Sequence, residues 1–94
     1  MLFCVFSFDK QNAGAVRAAN RDAHLAYMTS LGTRVKALGP FLSEDGEAMI
    51  GSLYIVEADA RDAVEAIVAA DPYVKANLFD RYEIHPWRHV AGQL

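Results

Sequence analysis

"LFCVFSF", Leu2 to Phe8, decides how this chain can fold. The run is short, rich in aromatic and branched residues, and closed by the turn-forming cluster Asp9-Lys10-Gln11-Asn12, so it reads as a strand. One face carries Leu2, Cys4, Phe6 and Phe8, the other Phe3, Val5 and Ser7. Both are largely apolar, and a strand apolar on both faces needs cover on both.

The rest of the chain supplies cover for only one of them. Asp9 to Asn20 opens as a polar, Ala-rich loop; a helix sets in by Arg17 and is firm from about Arg21 to Leu31, with Gly32 as its C-cap. Leu25, Met28 and Leu31 form its apolar stripe. Val35 and Ala37 begin a loosely alternating segment that meets Gly39-Pro40, a turn or a break in a strand. Ser43 to Ala48 is a hairpin connection with Asp45-Gly46 at its tip. "MIGSLYIVEA" is the clearest strand, and Gly51 within it marks a bulge or a close approach.

Asp59, with Asp62 three residues on, reads as the N-cap of a second helix that buries Val64, Ile67 and Val68. That helix stops before Asp71-Pro72, where "YVKANLF" offers one more helical turn. "DRYEIHPWRHV" is the last strand. Tyr82 and Ile84 lie on its helical side, and Arg81, Glu83 and His85 on the other.

The order β-α-β-β-α-β is the split βαβ, ferredoxin-like pattern of an α+β fold. It predicts a four-stranded antiparallel sheet with two helices on one face. The other face then calls for a second copy of the chain, sheet against sheet, as a dimeric α/β barrel. The predicted assembly is a homodimer, with no limit set on higher order.

At 94 residues the chain reads as a single domain over 1–94. Its 53% hydrophobic content is high for so small a unit: either the core is unusually rich, or a partner chain covers some apolar surface. Net charge is −3, and the nine Lys and Arg are scattered, so no basic stripe recommends nucleic acid as a partner. The one cysteine, Cys4, allows no intrachain disulfide and points to a reducing, cytoplasmic setting. The apolar start lacks a positive n-region and breaks at Asp9-Lys10, unlike a signal peptide, and no run is long enough to span a bilayer.

Two residues stand out chemically. His24 lies on the shoulder of the first helix's apolar stripe. It is either a packed, hydrogen-bonded histidine or a general acid/base, since imidazole titrates nearest neutrality. Asp71 reads first as an N-cap with Pro72 at the first helical position. It also falls on the buried side of its helix end, where a carboxylate needs a partner. A histidine on the neighbouring helix would serve, and such a carboxylate would orient the imidazole. Ser52, Tyr54 and Tyr73 are side chains able to touch a ligand. Cys4 reads as a small buried hydrophobe. His24, His85 and His89 make no metal-ligand spacing, and no glycine-rich phosphate loop is present, so neither metal nor other cofactor is expected.

"ANRDAHLAYM", "ALGPFL" and "GSLYIVEADARDAVEAIVAADPYVKANLFDRYEIHPW" together resemble the YciI-like (YCII-related) family over nearly the whole chain. The ordered motifs are R-x-x-H-L, G-P, G-S and D-P-Y. The resemblance implies a dimeric α/β barrel, similar in fold to muconolactone isomerase, and for some members dehydrochlorination of chlorinated hydroxyquinols. It implies a His–Asp active-site pair, which maps onto His24 and Asp71. The family often has Pro two residues before that histidine; here Asp22 stands there.

The resulting expectation is a cofactor-independent enzyme of lyase, isomerase or dehydrochlorinase type acting on a small organic molecule. His24 and Asp71 would handle the proton, while Pro40, Ser52 and Tyr73 would shape the pocket. The rivals are a non-catalytic ligand-binding or accessory dimer, and a dimer whose His–Asp pair only stabilises the fold.

Overall fold

The computed structural model describes residues 1–94. Its elements are β1 (Leu2–Asp9), α1 (Gly14–Ser30), β2 (Val35–Leu42), β3 (Met49–Glu57), α2 (Arg61–Ala69), α3 (Pro72–Lys75) and β4 (Phe79–Trp87), with a single 3-10 turn at Gly32–Arg34. The strands form one antiparallel sheet in the order β2-β3-β1-β4. This is the ferredoxin-like βαββαβ arrangement, with the helices on one face. No helix is long and apolar enough to cross a membrane.

β1 sits at the centre, between β3 and β4. On the helical face Phe3 and Val5 pair with Val56 and Tyr54 on one side, and Val5 pairs with Ile84 on the other. These residues meet Met28 and Leu31 of the α1 end and Val64, Ile67 and Val68 of α2 in one core. Tyr27 Oη donates to the Ile67 carbonyl at 2.7 Å, and Arg61 Nη1 to the Ile84 carbonyl at 2.9 Å. The first bond ties α1 to α2, and the second ties α2 to β4. Tyr82 reaches Glu65 of α2, so Tyr82 and Ile84 face the helices as their two-residue period requires.

The other face is apolar along β1 and bare of helix. Phe6 packs edge-on against Phe41, Phe8 stacks on Phe41, and the Phe6 ring lies 5.5 Å from the His85 ring. Leu53 and Ile55 of β3 continue this surface, and Arg81 and Glu83 of β4 border it. Cys4 is buried within it, and that burial raises its thiol pKa, as befits an inert packing residue.

Several local features differ from the sequence expectation. α1 begins at Gly14, earlier than the polar run suggests, because its start carries no side-chain cap to read. Its C-cap is Leu31, and Gly32 takes the left-handed φ of +63° just beyond. Asp59 does not cap α2. Ala60 occupies that position in an extended conformation, and Asp62 lies in the first turn, where its charge favours the helix N-terminus. Gly39-Pro40 makes neither turn nor break. β2 is an edge strand, and an edge tolerates the missing proline N–H.

Gly51 has the close approach its position suggests, and the β2–β3 register also shifts beside its partner, between Phe41 and Leu42. A Cβ at Gly51 would lie 2.4 Å from the Ser7 carbonyl oxygen, whereas one at Gly39 would meet nothing within 4 Å. Gly51→Ala is therefore expected to lower stability by about 1–3 kcal/mol through overpacking against backbone. Gly39→Ala should change it little. Chemical denaturation of both variants checks the contrast, and equal effects would refute the close-approach argument.

Candidate functional site

The site is built where α1 passes the start of α3. Asp71 caps α3, with its Oδ1 accepting the Tyr73 backbone N–H at 2.9 Å, and Pro72 follows at the first helical position. The far end of this four-residue helix is closed as firmly. Asn77 turns left-handed at φ 61°, the Leu78 N–H donates to the Tyr73 carbonyl, and the Asn77 N–H to the Val74 carbonyl. That is a Schellman closure, with Leu78 fully buried as its apolar clasp. Both ends being fixed, Asp71 and Tyr73 have little freedom.

His24 Nδ1 lies 2.8 Å from the same Asp71 Oδ1. The oxygen already accepts from Tyr73, so Nδ1 carries the proton and donates it. In the neutral imidazole of this tautomer, Nε2 is the nitrogen with the free lone pair. Nε2 finds no protein partner, yet the one buried side-chain polar atom lacking a partner is Tyr54 Oη. Nε2 therefore reaches the open cavity that His24 lines. The Tyr73 ring stacks on the imidazole at 4.0 Å between centroids, inclined 14°, and Phe79 braces Tyr73 edge-on.

The cavity has a volume of about 170 Å³. His24, Pro40, Ser52 and Tyr73 line it together, with Asp71 buried behind His24. Tyr54, also considered from its place in β3, turns instead into the core. Its hydroxyl has no partner there, and burial raises its pKa. Asp22, which stands where the family often has proline, remains exposed.

Arg17 is the functional candidate that sequence reasoning missed. It is buried, 6% exposed, and also lines the cavity. Nε and Nη2 form a fork onto Asp9 at 2.7 and 2.8 Å, and Nη2 donates to Ser52 Oγ at 3.1 Å. The guanidinium carbon lies 4.8 Å from the Tyr73 ring centroid. Burial works against this charge, but the hydrogen bonds and charge of Asp9, with smaller help from Tyr73, outweigh it and raise the Arg17 pKa. Burial likewise raises the Tyr73 phenol, against the pull of Arg17 and then Arg21. Tyr73 is thus a neutral hydroxyl near neutral pH. The signal for Arg17 was present: it precedes His24 by two helical turns and so shares its face.

A family model described as the YCII-related domain matches residues 1–88. Protein YciI of Escherichia coli O6:H1 is 30% identical over 97 residues, covering 96% of this chain and 99% of the relative. A solved structure of 5-chloro-2-hydroxyhydroquinone dehydrochlorinase from Burkholderia phenoliruptrix AC1100, in complex with 2,5-dihydroxybenzoquinone, is 36% identical. It superposes with a TM-score of 0.88, covering 96% of both chains. An antibiotic biosynthesis monooxygenase, 14% identical with a TM-score of 0.57 over 97% of this chain and 100% of its own, shares the fold.

The Arg17–Asp9 pair predicts its own test. Asp9→Asn would leave a buried guanidinium without its counter-charge, which typically costs about 3–5 kcal/mol. Urea unfolding of Asp9→Asn should register a loss of that order. A change within experimental error would mean that solvent already satisfies Arg17.

Proposed function

The chain belongs to the YCII-related family, and on that premise we propose that it is a cofactor-independent acid/base enzyme acting on a small, single-ring hydroxylated compound. The observation that carries this reading is the buried His24–Asp71 hydrogen bond with Nε2 directed into a cavity. Asp71 holds the tautomer and stabilises the imidazolium that forms when Nε2 takes a proton. The Tyr73 ring limits rotation of the imidazole. Ser52 and Arg17 supply polar contact on one wall, and Pro40 an apolar surface on another.

Size supports a ring. An apolar cavity of about 150 Å³ accommodates benzene, and this cavity is of that order at about 170 Å³. Proton abstraction from a ring hydroxyl suits an elimination or an isomerisation. In a dehydrochlorination of a chlorinated hydroquinol, one hydroxyl gives up its proton while the chlorine-bearing ring carbon gains one, and a second hydroxyl then loses its proton as chloride departs with the C–Cl bonding electrons, leaving a quinone. The net change is loss of HCl, with no oxidant or reductant. The dehydrochlorinase relative makes a chlorinated hydroxyquinol the first substrate to try.

We further propose that residues 1–94 act as one domain and that a second copy covers the bare sheet face. The self-contacting Phe6, Phe8 and Phe41 surface supplies the apolar area, and the Arg81–Glu83 pair at its border supplies charges of both signs for a symmetric contact.

Chloride release from a chlorinated hydroxyquinol is the direct assay. His24→Ala is expected to reduce turnover by about 10²–10⁴-fold, the usual weight of a positioned acid/base. Its circular dichroism and oligomeric state should stay unchanged. Full turnover in that variant would eliminate the proton-transfer role, while ring binding without turnover in the wild type would leave a ligand-holding module. Sedimentation at micromolar concentration should give twice the 10.3 kDa chain mass; a folded monomer would remove the second copy.

A further inference from the structure

Two arginines stand four residues apart on α1, Arg17 and Arg21, and both line the cavity with His24. Like charges at this spacing oppose a helix. Arg17 is reconciled by Asp9. Arg21 is not. It is exposed and takes part in none of the ion pairs. No acidic residue lies three or four positions away on the helix; Asp22 is adjacent in sequence and points elsewhere around the axis. An unpaired cation at the cavity, placed against local helix preference, is the kind of conflict that a binding site accounts for.

Arg21 precedes His24 by three residues, so it stands one turn away along the same side of the helix. Its charge is felt at Tyr73 inside the cavity. Asp9 and Ser52 hold Nε and Nη2 of Arg17, which neutralises its charge and leaves only Nη1 for an anion. An ionised oxygen on a ring seated against His24 would therefore find in Arg21 the guanidinium whose charge no carboxylate already answers.

We infer that Arg21 makes this site selective for an anionic ring: a phenolate, enolate or ring-borne carboxylate whose charged oxygen pairs with the Arg21 guanidinium at the cavity mouth. The inference rests on the single-ring reading of the cavity and adds the substrate's charge to it. A guanidinium suits this task because its planar fork can donate two parallel hydrogen bonds to an oxyanion. Arg21 is a specificity residue here. It takes no part in the proton transfer at Nε2.

The test is calorimetric binding of two rings to the full chain. 2,5-Dihydroxybenzoquinone, a vinylogous acid, is the anionic probe near neutral pH, and hydroquinone is the neutral one. Wild type should prefer the anion, with an affinity that falls as salt is raised. Arg21→Gln should weaken the anion by about ten- to a hundred-fold, the weight of a charge-assisted hydrogen bond. It should leave hydroquinone and the salt response of hydroquinone unchanged, and Arg21→Lys should recover part of the preference. Equal binding of both rings by wild type would overturn the inference, as would equal weakening of both by Arg21→Gln. Failure of both rings to bind wild type would instead remove the single-ring cavity itself, and the selectivity with it.

Discussion

One buried oxygen, Oδ1 of Asp71, holds this arrangement together. It accepts the Tyr73 backbone N–H and the His24 Nδ1–H, so a single atom starts α3 and orients an imidazole on α1. A carboxylate this deep is costly unless its lone pairs are engaged. That cost makes the alignment of the two helices a condition of stable folding. The positions of His24 and Tyr73 follow, because the ring of Tyr73 lies on the imidazole while its backbone N–H binds the oxygen behind it. Capping and orientation are therefore one interaction, and the two readings of Asp71 available from sequence are both correct as geometry.

A second buried charge, Arg17, makes the same demand from the other side of the cavity. Its fork onto Asp9 joins α1 to the end of β1, and its bond to Ser52 brings in β3. Two polar networks thus converge on a small volume whose remaining wall is Leu25, Leu38, Pro40 and Met49, with Arg21 beside them. Such networks add little net stability compared with apolar packing, but breaking one partner is expensive. Here they enforce position. Tyr73 lies between them, stacked on His24 and within reach of the Arg17 guanidinium.

The fold was legible because its decisive signals are periodic. The doubly apolar Leu2–Phe8 run, the Asp45-Gly46 tip and the alternation of Tyr82 and Ile84 each depend on spacing alone, and each survives into the structure. The Asp71-Pro72 cap was legible because its chemistry is local. What escaped depends on tertiary partners. The start of α1 has no cap to announce it, and Arg17 looks like an ordinary surface arginine until Asp9 is seen to bend back beneath it. Asp59 has a suitable capping side chain, but that says nothing about whether the next residue extends, and it is Ala60 that does. His24 was placed on the shoulder of the stripe; the structure puts it on the buried axis with Met28 and Leu31, while Leu25 moves aside to line the cavity.

The location of the cavity follows from the sheet. Two main helices have four strands to cover, and the cover stops before the edge. Ser52 and Tyr54 of β3 are buried on the helical face, yet Pro40 and Leu38, their partners on β2, are exposed. The step between covered and uncovered strands is where α1, β2 and β3 leave space. Pro40 fits the edge because it has no N–H to leave unpaired there. One wall of the resulting cavity is the His24 and Arg17 side of α1, buried and fixed by hydrogen bonds; the opposite wall is an exposed rim. The proposed proton transfer would use that combination: a base oriented at one nitrogen by a buried carboxylate, and an entrance wide enough for a small molecule. The step that an incompletely covered sheet creates at its edge is thus also the feature that turns a packed His–Asp pair into one that a small molecule can reach.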